Sequence, residues 1–338
     1  MTLAFICGCA GTALSPEERA FIRQAQPWGL ILFKRNVADP DQLRALTGSF
    51  RDLVGRDDAP VLIDQEGGRV QRMGPPRWPA YPAAARFEQI GELGRAVETA
   101  RISARLMARD LLDVGVNVNC APVLDVAQAG AHAVIGERAW SSDPRRVAAF
   151  GRAVAQGLMA GGVAPVIKHI PGHGRASVDS HLELPTITVG RAELETRDFA
   201  PFAALRDLPM AMTAHVVYQA VDPERPATTS PTVVEGVVRG AIGFDGLLIS
   251  DDLSMKALGG PLAERAAAAF AADVDIALHC NGDLAEAREV AQSAPELTGR
   301  ALRRARAALA TIAGGAEPFD AERARVEVAA AFEPARVG

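Results

Sequence analysis

Residues 168–185 bring together side chains that can transfer protons or bind metal ions. The segment reads KHIPGHGRASVDSHLELP and holds three of the six histidines of the chain. Asp179 and His181 lie two residues apart, so in extended backbone both side chains project to the same side. A carboxylate placed there can accept a hydrogen bond from one imidazole nitrogen and leave the other nitrogen for proton transfer. The spacing therefore indicates a general acid–base pair.

The same segment leaves three other interpretations open. Zinc accepts imidazole ligands, and the spacing His169-x3-His173-x7-His181 would suit it on a helix, but the intervening proline and glycines disfavour a helix here. Lys168 could instead form a Schiff base with a carbonyl substrate. The third interpretation is a polar surface turn without chemistry.

A second candidate lies in the stretch GFDGLLISDDLSM, residues 243–255, where an apolar run ends in two acids. Adjacent residues of an extended chain point to opposite sides. Asp251 can then face a site as an ionised nucleophile while Asp252 is held by backbone groups or by arginine. The alternative for either residue is a helix N-cap that follows a strand.

Further charged residues follow other apolar runs. Asp64 begins DQEGGRVQR, which also contains Arg72, while Asp125 lies in NCAPVLDV and Arg138 in IGERAW. Each could form an ordinary salt bridge between loops. As a group they would supply the hydrogen-bonding side chains that a polyhydroxylated ligand requires.

Eight short apolar runs must position these side chains. They are continuous rather than alternating, which is typical of strands buried on both faces of a parallel sheet. We predict strands at Leu3–Cys7, Gly29–Phe33, Pro60–Asp64, Val116–Cys120, Pro165–His169, Pro209–Ala214, Gly246–Ser250 and Asp275–Cys280.

The segments between these runs begin like helices. Ser15, Asp39, Asp143 and Ser230 each precede a proline, and their side-chain oxygens can accept from the first-turn N–H groups. Glu18 completes a capping box with Ser15. Eight strands alternating with helices predict an α/β fold, a (β/α)8 TIM-like barrel, with a doubly wound sheet as the main rival. In a barrel, active groups follow the carboxyl ends of the strands, where the polar clusters above fall.

Length and composition bound the remaining possibilities. The chain has 338 residues and no linker rich in glycine, serine or proline, so we predict a single domain over residues 1–338, with closing helices from about residue 296. A net charge of −5 argues against nucleic-acid partners and a basic membrane face. No apolar run is long enough to span a bilayer, and the N-terminus lacks the positive charge of a signal peptide, so we expect a cytoplasmic protein.

Six motifs in the same order resemble one known family. DQEGGRVQR, NVNCAPVLDV, IGERAWSSDP, IKHIPGHG, VDSHLELP and ISDDLSM are similar to segments of the bacterial β-N-acetylglucosaminidases of the family-3 glycoside hydrolases, and the similarity runs from about residue 25 to residue 280. Ile170 stands where phenylalanine is commoner, and Glu137 where aspartate is commoner.

The resemblance implies a retaining exo-β-N-acetylglucosaminidase on a single (β/α)8 barrel, without metal or other cofactor. Asp251 matches the nucleophile, His181 the general acid–base group and Asp179 its partner. The groups that hold the terminal sugar match Asp64, Arg72, Arg138, Lys168 and His169. The implied substrates are peptidoglycan-derived muropeptides of the GlcNAc-1,6-anhydro-MurNAc type. We expect no nucleic-acid or membrane partner, and a monomer or weak homo-oligomer.

Overall fold

Eight parallel strands close into a barrel in the computed structural model, which describes residues 1–128, 130, 135–176 and 183–333. Each strand pairs with its neighbours in sequence, and the first pairs with the last. The strands are β1 Leu3–Cys7, β2 Pro27–Leu32, β3 Val61–Ile63, β4 Val118–Asn119, β5 Ala164–Ile170, β6 Met210–Thr213, β7 Leu247–Asp252 and β8 Ile276–His279. All eight predicted strands, and the predicted barrel, are confirmed.

The strands read as continuous apolar runs because both of their faces are buried. In β2, Ile31 contributes to an apolar cluster inside the barrel, while Leu30 and Leu32 join the larger cluster between the strands and the surrounding helices. Successive side chains of a strand point to opposite faces, so each face needs an apolar residue of its own. The alternation that would mark a half-exposed strand is therefore missing from the sequence.

Helices follow the strands and form the outer layer. They are α1 Pro16–Ala25, α2 Pro40–Val54, α3 Ala84–Glu88, α4 Leu93–Asp113, α5 Pro144–Ala160, α6 Arg191–Glu193, α7 Ala200–Ala204, α8 Pro231–Val233, α9 Leu262–Ala271, α10 Leu284–Ser293, α11 Gly299–Ala310 and α12 Ala321–Ala331. Two π-helical segments adjoin them, at Leu194–Asp198 and Val234–Ala241. Among the described residues, no helix has both the length and the apolar character needed to cross a membrane.

Side-chain caps fix the four helix starts that the sequence predicts. The Ser15 hydroxyl accepts from the Glu18 N–H at 3.1 Å, and the Glu18 carboxylate accepts from the Ser15 N–H at 2.7 Å. Asp39, Asp143 and Ser230 each accept a backbone N–H in the first turn of α2, α5 and α8. A cap of this kind is worth about 1 kcal/mol, which defines where each helix begins.

The amino-terminal end of the barrel is covered by the closing helix α11. Ala305 and Ala308 of α11 pack into the cluster inside the barrel, and the Ala4 N–H donates to the Pro295 carbonyl at 2.9 Å. The polar clusters lie at the opposite end, where the strands finish. That residues 1–338 form one domain stays a prediction.

Shorter elements decorate the carboxyl ends of the strands. A hairpin of Gln65–Gly67 and Val70–Gln71 follows β3, and single 3-10 turns lie at Lys34–Asn36, Gly136–Arg138 and Ala227–Thr229. A small sheet joins Thr186–Ile187, Val217–Tyr218 and Asp222–Pro226. The hairpin and the turn at Gly136–Arg138 supply part of the site described next.

Candidate active site

The predicted site residues within the described part of the chain meet at the carboxyl end of the barrel. Asp64 directly follows β3. Lys168 and His169 are among the last three residues of β5, and Asp251 is the last residue but one of β7. Parallel strands of a barrel finish at one rim, so side chains far apart in sequence converge there.

Five charged side chains at this rim form an alternating chain of ion pairs. Arg72 Nη2 lies 2.9 Å from Asp64 Oδ2, and Lys168 Nζ lies 2.8 Å from Asp64 Oδ1. Lys168 Nζ also lies 2.7 Å from Glu66 Oε1, and Glu66 receives both Nε and Nη2 of Arg138 at 2.8 Å. Arg72 directly follows the hairpin and Arg138 ends the 3-10 turn, so loops as well as strands supply the ion pairs.

Mutual pairing keeps these groups ionised although they are buried. Burial alone would raise the pKa of Asp64, but Lys168 and Arg72 hold it well below its usual value. Burial has the same effect on Glu66, and there Arg138 and Lys168 lower the pKa to about 2. Burial would lower the pKa of Lys168, which is only 2% exposed, yet Asp64 and Glu66 raise it above the ordinary range. Two carboxylate oxygens within 2.8 Å of Lys168 Nζ favour its protonated form, which disfavours attack on a carbonyl to form a Schiff base.

His169 is oriented by a fully buried carboxylate. Asp125, 0% exposed, places Oδ2 2.6 Å from His169 Nδ1, and its Oδ1 accepts from the His173 N–H at 2.6 Å. Burial would raise the pKa of Asp125, but His169 and His173 lower it to about 2. A carboxylate accepts the proton of Nδ1, so His169 presents Nε2 to a ligand.

Asp251 and Asp252 have different surroundings, as the sequence predicts. The Asp251 Oδ1 accepts from the Asp252 N–H at 2.8 Å. The Asp252 carboxylate already accepts three hydrogen bonds from the protein. The donors are the Ser254 N–H, the Ser254 hydroxyl and the Cys280 N–H, at 3.1, 2.7 and 3.1 Å. Asp251 is thus the acid that remains for a ligand.

Asp251 is held in its ionised form. Burial would raise its pKa, but His215 and His169 outweigh burial. Smaller contributions come from the Asp252 N–H and from Lys168, and the resulting pKa lies below the ordinary value. Ile249 and Lys168 both lie opposite Met212 of β6, so Asp251, two residues further along β7, lies at the same rim as Lys168.

Asp179 and His181 lie outside the described residues, so the acid–base pair stays a prediction. The chain leading to them is closely packed. The Tyr218 hydroxyl donates to the Gly172 carbonyl at 2.6 Å, and a Cβ on Gly174 would lie 2.0 Å from the Val126 carbonyl oxygen. The sequence suggests that Gly172 and Gly174 let this segment bend and move. At Gly174 the missing side chain also allows close backbone packing on Val126, and movement of the segment stays a prediction.

The structure adds residues to which sequence reasoning gave no role. Glu66 joins Lys168 to Arg138, and its spacing of two residues from Asp64 in extended chain is the signal that could have identified it. Thr213 accepts the Asp251 N–H, and no motif singled it out. Among the described residues, no three His, Cys, Asp or Glu side chains form a group that could hold a metal ion.

Comparison with known proteins gives the family. The family model described as the glycosyl hydrolase family 3 N terminal domain matches residues 6–309. The β-hexosaminidase of Alkalilimnicola ehrlichii is 44% identical over 281 residues, which cover 81% of this chain and 79% of that protein. The β-hexosaminidase of Methylococcus capsulatus is 43% identical over 301 residues, covering 86% and 88%.

Solved structures agree with the sequence relatives. NagZ from Neisseria gonorrhoeae in complex with N-trifluoroacetyl-D-glucosamine superposes with a TM-score of 0.87 at 32% identity, covering 98% of this chain and 99% of that one. A glycoside hydrolase family 3 β-N-acetylglucosaminidase from a Paenibacillus species gives a TM-score of 0.86 at 29% identity, covering 97% of this chain and 66% of that one. The resemblance found in the six motifs is confirmed.

Proposed function

The chain belongs to glycosyl hydrolase family 3, and we propose that it is a retaining exo-β-N-acetylglucosaminidase whose nucleophile is Asp251. Its relatives make it a glycosidase of the β-N-acetylhexosaminidase class.

The observation that carries the proposal is the position and charge of Asp251. It lies at the end of β7 with a lowered pKa, and Asp252 beside it is saturated by hydrogen bonds from the protein. Of the two Asp251 carboxylate oxygens, Oδ1 accepts a hydrogen bond and Oδ2 accepts none from the described residues. Oδ2 is therefore available to bond to the anomeric carbon. An ionised carboxylate with one free oxygen at the rim of a barrel suits covalent catalysis.

The reaction then proceeds in two displacements. In the first, Asp251 forms a bond to the anomeric carbon while the glycosidic C–O bond breaks, and His181 gives its proton to the departing oxygen. In the second, His181 removes a proton from water, whose oxygen bonds to the anomeric carbon and releases Asp251. Asp179 would orient the imidazole and stabilise its protonated form. The anomeric configuration is retained because it inverts twice.

The ion-pair chain is the proposed sugar-binding surface. Asp64 and Lys168 present an acceptor and a donor 2.8 Å apart, the arrangement that neighbouring sugar hydroxyls can bridge. Arg72 and Arg138 flank them, and His169 adds its Nε2. All are fixed by mutual contacts before the sugar binds, so little side-chain entropy is lost on binding.

The proposed substrate is a muropeptide with a terminal non-reducing N-acetylglucosamine on 1,6-anhydro-N-acetylmuramic acid. The proposal rests on the likeness of the six motifs to cell-wall-recycling enzymes, and it includes a cytoplasmic location and a monomer or weak homo-oligomer. Release of N-acetylglucosamine from this disaccharide, followed by chromatography, tests the substrate directly. Failure to cleave it while aryl glycosides are cleaved would contradict this part alone.

The activity itself is tested with two aryl glycosides. We expect 4-nitrophenyl N-acetyl-β-glucosaminide to be hydrolysed far faster than the matching β-glucoside, and the rate to survive a chelator. Loss of turnover with chelator, restored by a divalent metal, would favour a metal-dependent hydrolase. Binding of N-acetylglucosamine without turnover would favour a sugar-binding protein.

A further inference from the structure

Hydrogen bonds around Asp251 continue through three buried side chains and return to the residue that follows it. The Asp251 N–H donates to Thr213 Oγ1 at 3.2 Å, and Thr213 Oγ1 lies 2.7 Å from Thr228 Oγ1. Thr228 Oγ1 lies 2.7 Å from His215 Nδ1, and His215 Nε2 lies 2.9 Å from the Asp252 carbonyl oxygen. Thr213 ends β6, while Thr228 lies in the 3-10 turn Ala227–Thr229.

The chemistry of the groups gives this chain one direction. A carbonyl oxygen only accepts, so His215 Nε2 carries a hydrogen. A neutral ring then has an unprotonated Nδ1, which accepts from the Thr228 hydroxyl at 2.7 Å. The Ala214 carbonyl, 3.2 Å from Thr228 Oγ1, is the more distant of the two acceptors open to that hydroxyl. Thr228 in turn accepts from Thr213, whose oxygen receives the Asp251 N–H. Every donor finds an acceptor, which buried polar groups require.

A neutral His215 agrees with its burial, which lowers its pKa. As a cation, His215 would be the strongest contributor to the lowered pKa of Asp251. The hydrogen bonds and the burial of the ring favour the neutral form. Without that charge, His169, the Asp252 N–H and Lys168 remain as the groups that lower the pKa of Asp251.

The two ends of this hydrogen-bond series lie on either side of the Asp252 N–H, the group that holds the Asp251 carboxylate. Between the Asp251 N–H and the Asp252 carbonyl lies the Asp252 N–H, which donates to Asp251 Oδ1 at 2.8 Å. From the other side, the Cys280 N–H holds the Asp252 carboxylate at 3.1 Å. The direction of the Asp252 N–H therefore sets where the Asp251 carboxylate points.

We propose that His215, Thr228 and Thr213 are positioning residues that aim the Asp251 carboxylate at the anomeric carbon. The inference rests on the proposed role of Asp251 as nucleophile. The three buried side chains are hydrogen-bonded to the Asp251 N–H at one end and to the Asp252 carbonyl at the other, so they act through the backbone of these two residues. Burying such groups costs free energy unless their hydrogen bonds are made, and here the bonds converge on one dipeptide.

The test replaces the middle hydroxyl. Thr228→Val keeps the shape and breaks the chain, whereas Thr228→Ser keeps the hydroxyl. We expect Thr228→Val to lower kcat about 10- to 100-fold, as small misplacements of a reacting group do, with little change in KM. Thr228→Ser should recover most of that rate. A purely structural threonine would change the melting temperature and leave kcat unaltered, which would overturn the inference.

Two further measurements separate this inference from the proposed function. A fluoroglycosyl inactivator should label wild type at Asp251 and label Thr228→Val more slowly by a factor similar to the loss in kcat. Label on another residue of wild type contradicts the proposed function, whereas equal labelling rates at Asp251 contradict only the positioning role. If Thr228→Val does not fold, nitrogen-15 NMR of wild type decides. A neutral His215 with its proton on Nε2 supports the chain, and a protonated or Nδ1–H ring overturns it.

Discussion

Lys168 Nζ lies 2.7 Å from Glu66 Oε1, which joins the two halves of the ion-pair chain at the rim of the barrel. Lys168 comes from β5 and Glu66 from the hairpin after β3. Through Glu66 the chain continues to Arg138, and through Asp64 it continues to Arg72. The arrangement has consequences for stability, for pH dependence and for binding.

Glu66→Gln should weaken both folding and substrate binding. The amide keeps the shape but leaves Lys168 and Arg138 without their common counter-charge. Removing one partner from a buried ion pair costs about 3–5 kcal/mol, and we expect kcat/KM to fall with it. Urea unfolding and steady-state kinetics measure the two effects. Glu98→Gln is the matched control, because its ion pair with Arg101 is exposed to solvent. Equal stability of both variants would contradict the role given to Glu66.

The pH dependence of stability follows from the lowered carboxyl pKa values. The pKa of Glu66 is lowered from 4.5 to about 2, and the pKa of Asp125 from 3.8 to about 2. A group with a lowered folded-state pKa stabilises the protein above its unfolded-state pKa and loses that effect as pH falls through the folded-state value. The free energy of unfolding should therefore be flat above about pH 5 and fall between about pH 4 and pH 2.

Glu66 should account for a measurable part of this fall, roughly 3 kcal/mol at one pKa unit per 1.36 kcal/mol. Glu66→Gln should therefore show a shallower slope than wild type in the same pH range. Urea unfolding at a series of pH values gives both curves. Parallel curves would show that Glu66 has an ordinary pKa in the folded protein.

Much of the site could be predicted from the sequence, and the remainder depends on contacts that sequence does not record. The barrel and the place of Asp251 follow from apolar runs that end in polar residues. Lys168 meets Asp64 only because β3 and β5 end at the same rim of the barrel. Lys168 meets Glu66 only because the hairpin after β3 turns Glu66 back towards that rim. The tight packing of Gly174 on Val126 likewise depends on neighbouring segments, so the sequence alone does not predict it.

Asp125→Asn should impair catalysis while keeping the fold of the site. An amide can present its NH2 group to His169 Nδ1, which would place the imidazole proton on Nε2. Hydrogen bonds to charged groups are worth about 1.5–3 kcal/mol, so we expect kcat/KM to fall about 10- to 100-fold. Circular dichroism and the melting temperature must show that the variant is folded. A folded variant with wild-type kinetics would remove His169 orientation from the account.

His181→Ala should discriminate between leaving groups. A nitrophenolate departs without a proton, whereas the sugar alkoxide of a natural disaccharide needs one. General acid catalysis contributes about 10²–10⁴-fold, so kcat/KM for N,N′-diacetylchitobiose should fall far more than kcat/KM for the nitrophenyl glycoside. Asp251→Ala, as the comparison variant, should lose both. An equal loss on both substrates in His181→Ala would mean that His181 is not the acid.

The most direct test of the account is to trap the intermediate and locate it. Wild-type enzyme is inactivated with a 5-fluoro N-acetylglucosaminyl fluoride, digested and analysed by mass spectrometry. We expect one added sugar on the peptide that contains Asp251, and none in Asp251→Ala. A sugar on a different carboxylate, or an inverted anomeric product with no covalent adduct, would contradict it.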